Sequence, residues 1–239
     1  MGKLDFVNIF LKKVGFSLEH YSVASNSLLR RKAIFENYRI SDLLDVGANK
    51  GLYAKEAREM GYKGRIHSFE PLEQAFSKLK SAASKDETWD VFNFALGAEH
   101  SENEINVSSN SHSSSILDIL DTHTKAEESA SYVGKQKIKV VKLDAIFSDL
   151  KKKGSEIFLK IDTQGYELNV LKGAEETLQH INTIQLEMSV VPLYSEQALY
   201  DELLKYLWQR DYRLIDVDPG FVDQKNGSMM QFDAIFRRK

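Results

Sequence analysis

The stretch DLLDVGANKGLYAKEAREMGYKGRIHSFEP, residues 42–71, sets two short apolar runs on either side of a helix-forming segment. DLLDVGA is brief, apolar and closed by a glycine turn, the pattern of a strand covered on both faces. LYAKEAREMGY reads as a helix with Gly61 as its C-cap glycine, and RIHSFEP as a second strand. Strand, helix and strand so closely spaced predict a parallel crossover, and so an α/β chain.

The alternation continues downstream. LEQAFSKLKSAAS predicts a helix with Leu72, Phe76 and Leu79 on one face, and WDVFNFALG a third strand. It then pauses: SENEINVSS reads as an extra edge strand, followed by the serine-rich loop Asn106 to Ser115 and a polar segment to about Gly134. KIKVVKLDAIF predicts a strand entering a helix, EIFLKID a buried strand, ELNVLKGAEETLQH a helix and INTIQLEM a strand. SEQALYDELLKYLWQRD reads as a long amphipathic helix. YRLIDVD and MQFDAIFRR are strands joined by a turn-rich segment too short for a crossover helix, so that last pair should be antiparallel. The expected fold is a mostly parallel, doubly wound sheet with an antiparallel last strand. Leu4, Val7, Phe10, Leu11 and Val14 recur at helical spacing, which predicts an N-terminal helical cap over 1–40 before a main domain over 41–239.

Composition removes several function classes. With no cysteine, disulfides, thiolate metal sites and cysteine nucleophiles are excluded. A formal net charge of -3 argues against a general nucleic-acid binder. No apolar run approaches the roughly 20 residues that span a bilayer. The N-terminus lacks a secretory pattern, and Phe6 stands where a myristoylation signal after Gly2 needs Ser or Thr. These features predict a cytoplasmic protein.

The first strand-to-helix loop, Asp45-Val46-Gly47-Ala48-Asn49-Lys50-Gly51, lies where open α/β sheets bind their ligands. Gly47 permits a tight turn and close backbone approach, and Gly51 lets the helix start hard against the strand. Asn49 replaces the middle glycine of a dinucleotide fingerprint, and the carboxylate of Asp45 disfavours a polyanion. A sulfonium-bearing amino acid such as S-adenosylmethionine suits that loop better than a pyrophosphate. Glu70, ending the second strand, can accept hydrogen bonds from both ribose hydroxyls.

DVGANKGLYA (45–54), FEP (69–71), NFALG (93–97), LDAIF (143–147), LKIDTQGYELNVLKGA (159–174) and IQLE (184–187) together resemble the FkbM-type methyltransferases. The resemblance implies a Rossmann-like methyltransferase fold, S-adenosyl-L-methionine as cofactor, and transfer of methyl to a hydroxyl on a sugar or glycosylated natural product. It implies that Asp45, Gly47, Ala48, Asn49, Gly51 and Tyr53 line the methionine end of the cofactor. Glu70, with Pro71 after it, would hold the ribose, and Asn93, Ala95 and Leu96 would border the adenine.

An alcohol acceptor must lose its proton to a base at or after attack. The candidates are Asp162, which is also expected to contact the cofactor, Glu167 and Glu187, with His112 of the serine-rich loop. Gln164 cannot be a base, but its amide can position a hydroxyl or the cofactor's amino group. Asp162 and Glu187 end neighbouring strands and could share a divalent cation, although a metal is not the favoured reading. The serine-rich loop is expected to act as a lid, with Ser114 and Ser115 near the cofactor or acceptor. Two rival functions are an NAD-dependent oxidoreductase, since Glu70 would bind any adenosine ribose, and a non-catalytic protein that keeps the cofactor fold.

Overall fold

The computed structural model of the protein describes residues 3–239. Gly2 and the side chain of Leu4 lie outside the described residues. Two helices come first, α1 (Lys3–Leu11) and α2 (Ser27–Asn37). Strands and helices then alternate through β1 (Asp42–Val46), α3 (Leu52–Glu59), β2 (Arg65–Phe69), α4 (Glu73–Ala83) and β3 (Trp89–Phe92). The middle of the chain adds β4 (Ala95–Leu96), β5 (Ser101–Ser108), α5 (Asp121–Ala126) and β6 (Tyr132–Val141). It closes with α6 (Leu143–Leu150), β7 (Ile157–Ile161), α7 (Glu167–Lys172), β8 (Thr183–Ser189), α8 (Tyr200–Trp208), β9 (Tyr212–Pro219) and β10 (Gln231–Arg238).

The main sheet has seven strands in the order β3-β2-β1-β7-β8-β10-β9. The first five run parallel, and β10 is antiparallel to both its neighbours. The short connection between β9 and β10 forces that hairpin, as the sequence required, and β10 slots between β8 and β9. Strand order reverses between β1 and β7, so their carboxyl ends leave a crevice there. Every residue of β1 and β7 is buried, because helices cover both faces. Leu44, Val46, Leu159 and Ile161 pack on one side with Val170, Leu171, Leu203 and Leu207. Leu43 and Phe158 pack on the other with Phe35, Ala54, Ala57 and Leu79. Each of the large aliphatic and aromatic side chains among them contributes about 1.5–3 kcal/mol by leaving water. Phe35 places α2 in this second layer, its ring 4.7 Å from Phe158 and 5.1 Å from Tyr62.

Four expectations change, the simplest being that the helix read over ELNVLKGAEETLQH stops at Lys172 and gives way to a short 3-10 turn at Thr177–His180. WDVFNFALG is not one strand: it breaks after Phe92, and Ala95–Leu96 crosses to a second sheet of order β4-β6-β5. The break has a local cause, since Asn93 Nδ2 donates to the carbonyls of Glu70 (2.9 Å) and Pro71 (3.1 Å), wrapping the chain around the end of β2. SENEINVSS and the KIKVV strand likewise belong to this second sheet, not the main one, and pair antiparallel. Its apolar side carries Ile105, Ile138 and Val140 against Leu72 and Ala75 of the main layer. Its outward side sets Glu102 opposite Lys139 and Glu104 opposite Lys137. Finally, α8 starts only at Tyr200, because the Gln197 side chain accepts from the backbone of Leu193 and Tyr194 and holds 193–197 in a turn.

Candidate active site

A cavity of about 340 Å³ opens at the carboxyl ends of β1, β2, β7 and β8, with the serine-rich segment as one wall. Gly47 sits on its floor at φ 76°, and a Cβ there would collide with the carbonyl oxygen of Asp162. The turn thus needs glycine for both its conformation and the close approach of β7. Asn49 follows at φ 48°, a left-handed position that asparagine tolerates. Its backbone N–H donates to Glu70 Oε2 at 2.8 Å, while Leu72 N–H donates to Glu70 Oε1 at 2.8 Å. Burial nevertheless pushes the Glu70 carboxyl up to about 7 against those two donors. Gly51, at φ 78°, starts α3, and a Cβ would press on Leu79 and Trp89 at 2.8–2.9 Å. Gly51 therefore serves helix packing and does not line the cavity.

Asp45 departs most from its expected role. It is completely buried behind the loop and absent from the cavity wall. Lys160, near the carboxyl end of β7, reaches it with Nζ at 3.2 Å and also approaches Asp162 Oδ2 at 3.5 Å and the Gly47 carbonyl at 3.2 Å. Ser68 Oγ donates to the second Asp45 oxygen at 3.2 Å. Burial alone would lower the Lys160 ammonium, but Asp162 and Asp45 beside it outweigh that and hold it above its usual range. The carboxylate thus meets a lysine of its own chain rather than a cofactor ammonium. Asn49 supplies an acceptor in its place: Nδ2 donates to the Ser111 carbonyl at 3.2 Å, and Oδ1 is buried on the cavity wall without a partner among the described residues.

The segment after β7 brings Asp162 and Gln164 into the cavity, and Glu187 of β8 joins them. Gln164, at φ 57°, gives one amide proton to Asp162 Oδ1 (2.8 Å) and the other to Glu187 Oε2 (2.7 Å). Gln231 adds a second donor to Glu187 Oε2 at 2.8 Å. Burial, and then the charges of Asp162, Glu167 and Asp233, raise the Glu187 carboxyl well above the usual carboxylate range. Glu167 takes another part. It is buried off the cavity, and its Oε1 accepts from Thr163 N, Thr163 Oγ1 and Gly165 N. Those bonds shape the turn that carries Gln164, so Glu167 holds the site's backbone instead of facing an acceptor.

Of the remaining expected residues, Ala48, Tyr53, Pro71, Ala95 and Leu96 line the cavity, as do His112 and Ser114. Asn93 stays outside, tying β2 to β3. Ser115 lies beneath the wall, with Oγ donating to the Gln164 carbonyl at 2.7 Å. Lys160, Glu56 and Tyr194 were not foreseen. A lone lysine inside the apolar run EIFLKID was the available signal for the first. Glu56 lines the cavity through a bond with Arg31 of α2, whose guanidinium lies 4.1 Å above the Tyr53 ring.

A model of the methyltransferase FkbM domain matches residues 45–214. The chain belongs to that family. Among curated proteins no sequence matches. Solved structures with a similar fold include an rRNA methylase from Streptococcus thermophilus, at 10% identity over 91% of this chain and 99% of that one, TM-score 0.49. TehB from Haemophilus influenzae matches at 12% identity over 97% of this chain and 66% of that one, TM-score 0.47. A putative tRNA methyltransferase from Streptococcus pneumoniae, solved in complex with S-adenosyl-L-methionine, matches at 12% identity over 87% and 72%, TM-score 0.45.

The FkbM-family methyltransferase depends on S-adenosylmethionine, and the cavity fits that group. Asn49 Oδ1, without a partner among the described residues, suits an ammonium donor, and both Glu70 oxygens retain a lone pair for hydroxyls. Ala95, Leu96, Ile105 and Ile116 give the cavity an apolar end suited to a base. Membership displaces the oxidoreductase reading. Among the described residues no helix is long and apolar enough to cross a membrane.

Proposed function

We propose that the protein methylates a hydroxyl of an uncharged small molecule, a sugar or a glycosylated natural product. The observation that carries this reading is the charge of the cavity wall. Glu56, paired with Arg31, lines it with Glu70, Asp162 and Glu187, and the lysine of the wall already faces Asp45 and Asp162. A phosphate would meet carboxyl oxygens there and no uncommitted cation among the described lining residues, which favours a neutral polyol over a phosphorylated acceptor or a nucleic-acid backbone. Bound S-adenosylmethionine supplies the electrophilic methyl group, and its positive charge complements the same wall.

The chain's residues would divide the remaining work. Asp162 and Glu187, set by one amide, orient the acceptor hydroxyl. Glu187 Oε2 holds both amides, so Oε1 is the atom that receives the hydroxyl proton. A carboxyl raised by burial is a stronger base than an exposed one, which suits that task. Tyr53 closes the far side, its hydroxyl donating to Gln185 Oε1 at 2.6 Å.

The test is release of S-adenosylhomocysteine in the presence of neutral glycosides, their phosphorylated counterparts, and RNA. Turnover with neutral hydroxyl acceptors, reduced on the order of 100-fold by Glu187→Gln, is the expected result. Turnover with RNA or phosphorylated sugars, and none with neutral ones, would sink the reading.

A further inference from the structure

Tyr194 follows β8 and is 1% exposed, packed with Leu193 and Met230 in a small apolar cluster. The ring of His123, from α5, meets it edge-on at 5.2 Å. A phenol so placed needs a partner, and its hydroxyl reaches two acceptors on different segments. It lies 2.9 Å from Gln164 Oε1 and 3.2 Å from the Ser113 carbonyl. Gln164 is itself unusual, a non-glycine residue in the left-handed region whose two amide protons go to Asp162 and Glu187. Turning that amide over would set its oxygen against two carboxylates and its NH₂ against the phenol.

We infer that Tyr194 is a positioning residue: its hydroxyl locks the Gln164 amide in one orientation and ties the Asp162–Glu187 pair to the serine-rich wall. Three contacts converge on that tie. Ser115 Oγ holds the Gln164 carbonyl, Tyr194 holds the Gln164 side chain, and the same hydroxyl reaches back to Ser113. Glu187 keeps a second anchor in Gln231, whereas the Asp162 oxygen facing Gln164 depends on this one amide. Losing the phenol hydroxyl should therefore loosen Asp162 and the serine-rich segment more than Glu187. The inference rests on the proposed role of that pair in facing the acceptor, and its measurement is independent of any acceptor.

The experiment follows the Gln164 side-chain amide by nitrogen-edited NMR in the full chain, assigned with Gln164→Ala. In the native protein both amide protons should be resolved and slow to exchange. Tyr194→Phe, which keeps the ring, should speed their exchange roughly tenfold, as expected for one lost hydrogen bond, and speed backbone exchange across 111–115. Protection equal to the native protein's would overturn the inference. A measurement without any variant covers a Tyr194→Phe chain that fails to fold. The Tyr194 hydroxyl proton should be visible, with a cross-peak to the Gln164 side chain, and its absence would also overturn the inference. Affinity for S-adenosylhomocysteine should change less than twofold in Tyr194→Phe. If the native protein binds no S-adenosylhomocysteine, the methyl-transfer reading fails while the amide result still decides Tyr194.

Discussion

Removing the Lys160 ammonium should cost far more than a surface charge would, because it strands Asp45. Asp45 is 0% exposed and Lys160 5%, and their charged atoms lie 3.2 Å apart. Breaking such a pair from one side costs about 3–5 kcal/mol, since the remaining charge has neither water nor partner. Ser68 Oγ, at 3.2 Å, stays as a neutral donor and offsets only part of that. The second partner, Asp162, is 35% exposed at its side chain and adds at most about 1 kcal/mol. Lys160→Met should thus lower the unfolding free energy by about 3–5 kcal/mol, or the melting temperature by roughly 6–20 °C for a domain of this size. The double variant Asp45→Leu/Lys160→Met replaces the pair by apolar groups and should recover most of the loss. Urea unfolding of the native chain, both single variants and the double gives the cycle. A Lys160→Met loss below about 1 kcal/mol, or no recovery in the double, would refute the assignment of Asp45 as a buried counter-charge.

Other outcomes follow from the same geometry. Gly47→Ala forces a Cβ into the Asp162 carbonyl at a positive φ, so it should destabilise by more than the roughly 1 kcal/mol of the conformation alone and abolish S-adenosylhomocysteine binding, read by calorimetry. Glu167→Ala should lower thermal stability, because it removes the Oε1 that organises Thr163 and Gly165, yet spare more turnover than Glu187→Gln. Burial raises Glu70 and Glu167 from 4.5 to about 7, so between those values the native state holds protons the unfolded chain has released. Stability should then fall as pH rises from about 4.5 to 7, and Glu70→Gln or Glu167→Gln should flatten that slope in denaturant titrations at several pH values. Ribose hydroxyls donate best to the ionised Glu70, so native affinity for S-adenosylhomocysteine should tighten as pH rises through 7.

The parallel core was legible because its information is local. DLLDVGA and EIFLKID are apolar throughout, and a strand buried on both faces has no other reading at that length. The hairpin of β9 and β10 followed from a connection too short to cross over. What escaped was non-local. No local pattern says that Asn93 will bind the carbonyls of Glu70 and Pro71 and steer the chain into a second sheet. The site shows the same division. Gly47, Asn49 and Glu70 were found from one loop and one strand end. The partners of Asp45 and Glu167 depend on β7 lying beside β1 and on the turn at Gly165, so their carboxylates looked available in the sequence and are committed in the fold. Tyr194 carries no signal of its own, since its hydroxyl matters only through Gln164, 30 residues away.

The central claim is that the crevice between β1 and β7 is a site for S-adenosylmethionine. Calorimetric titration with S-adenosylhomocysteine and, separately, with NAD tests it most directly, in the native chain and in Glu70→Ala. Saturable binding of S-adenosylhomocysteine, weakened at least tenfold by Glu70→Ala and matched by no heat from NAD, is the predicted result. Binding of NAD alone, or S-adenosylhomocysteine binding indifferent to Glu70, would contradict it.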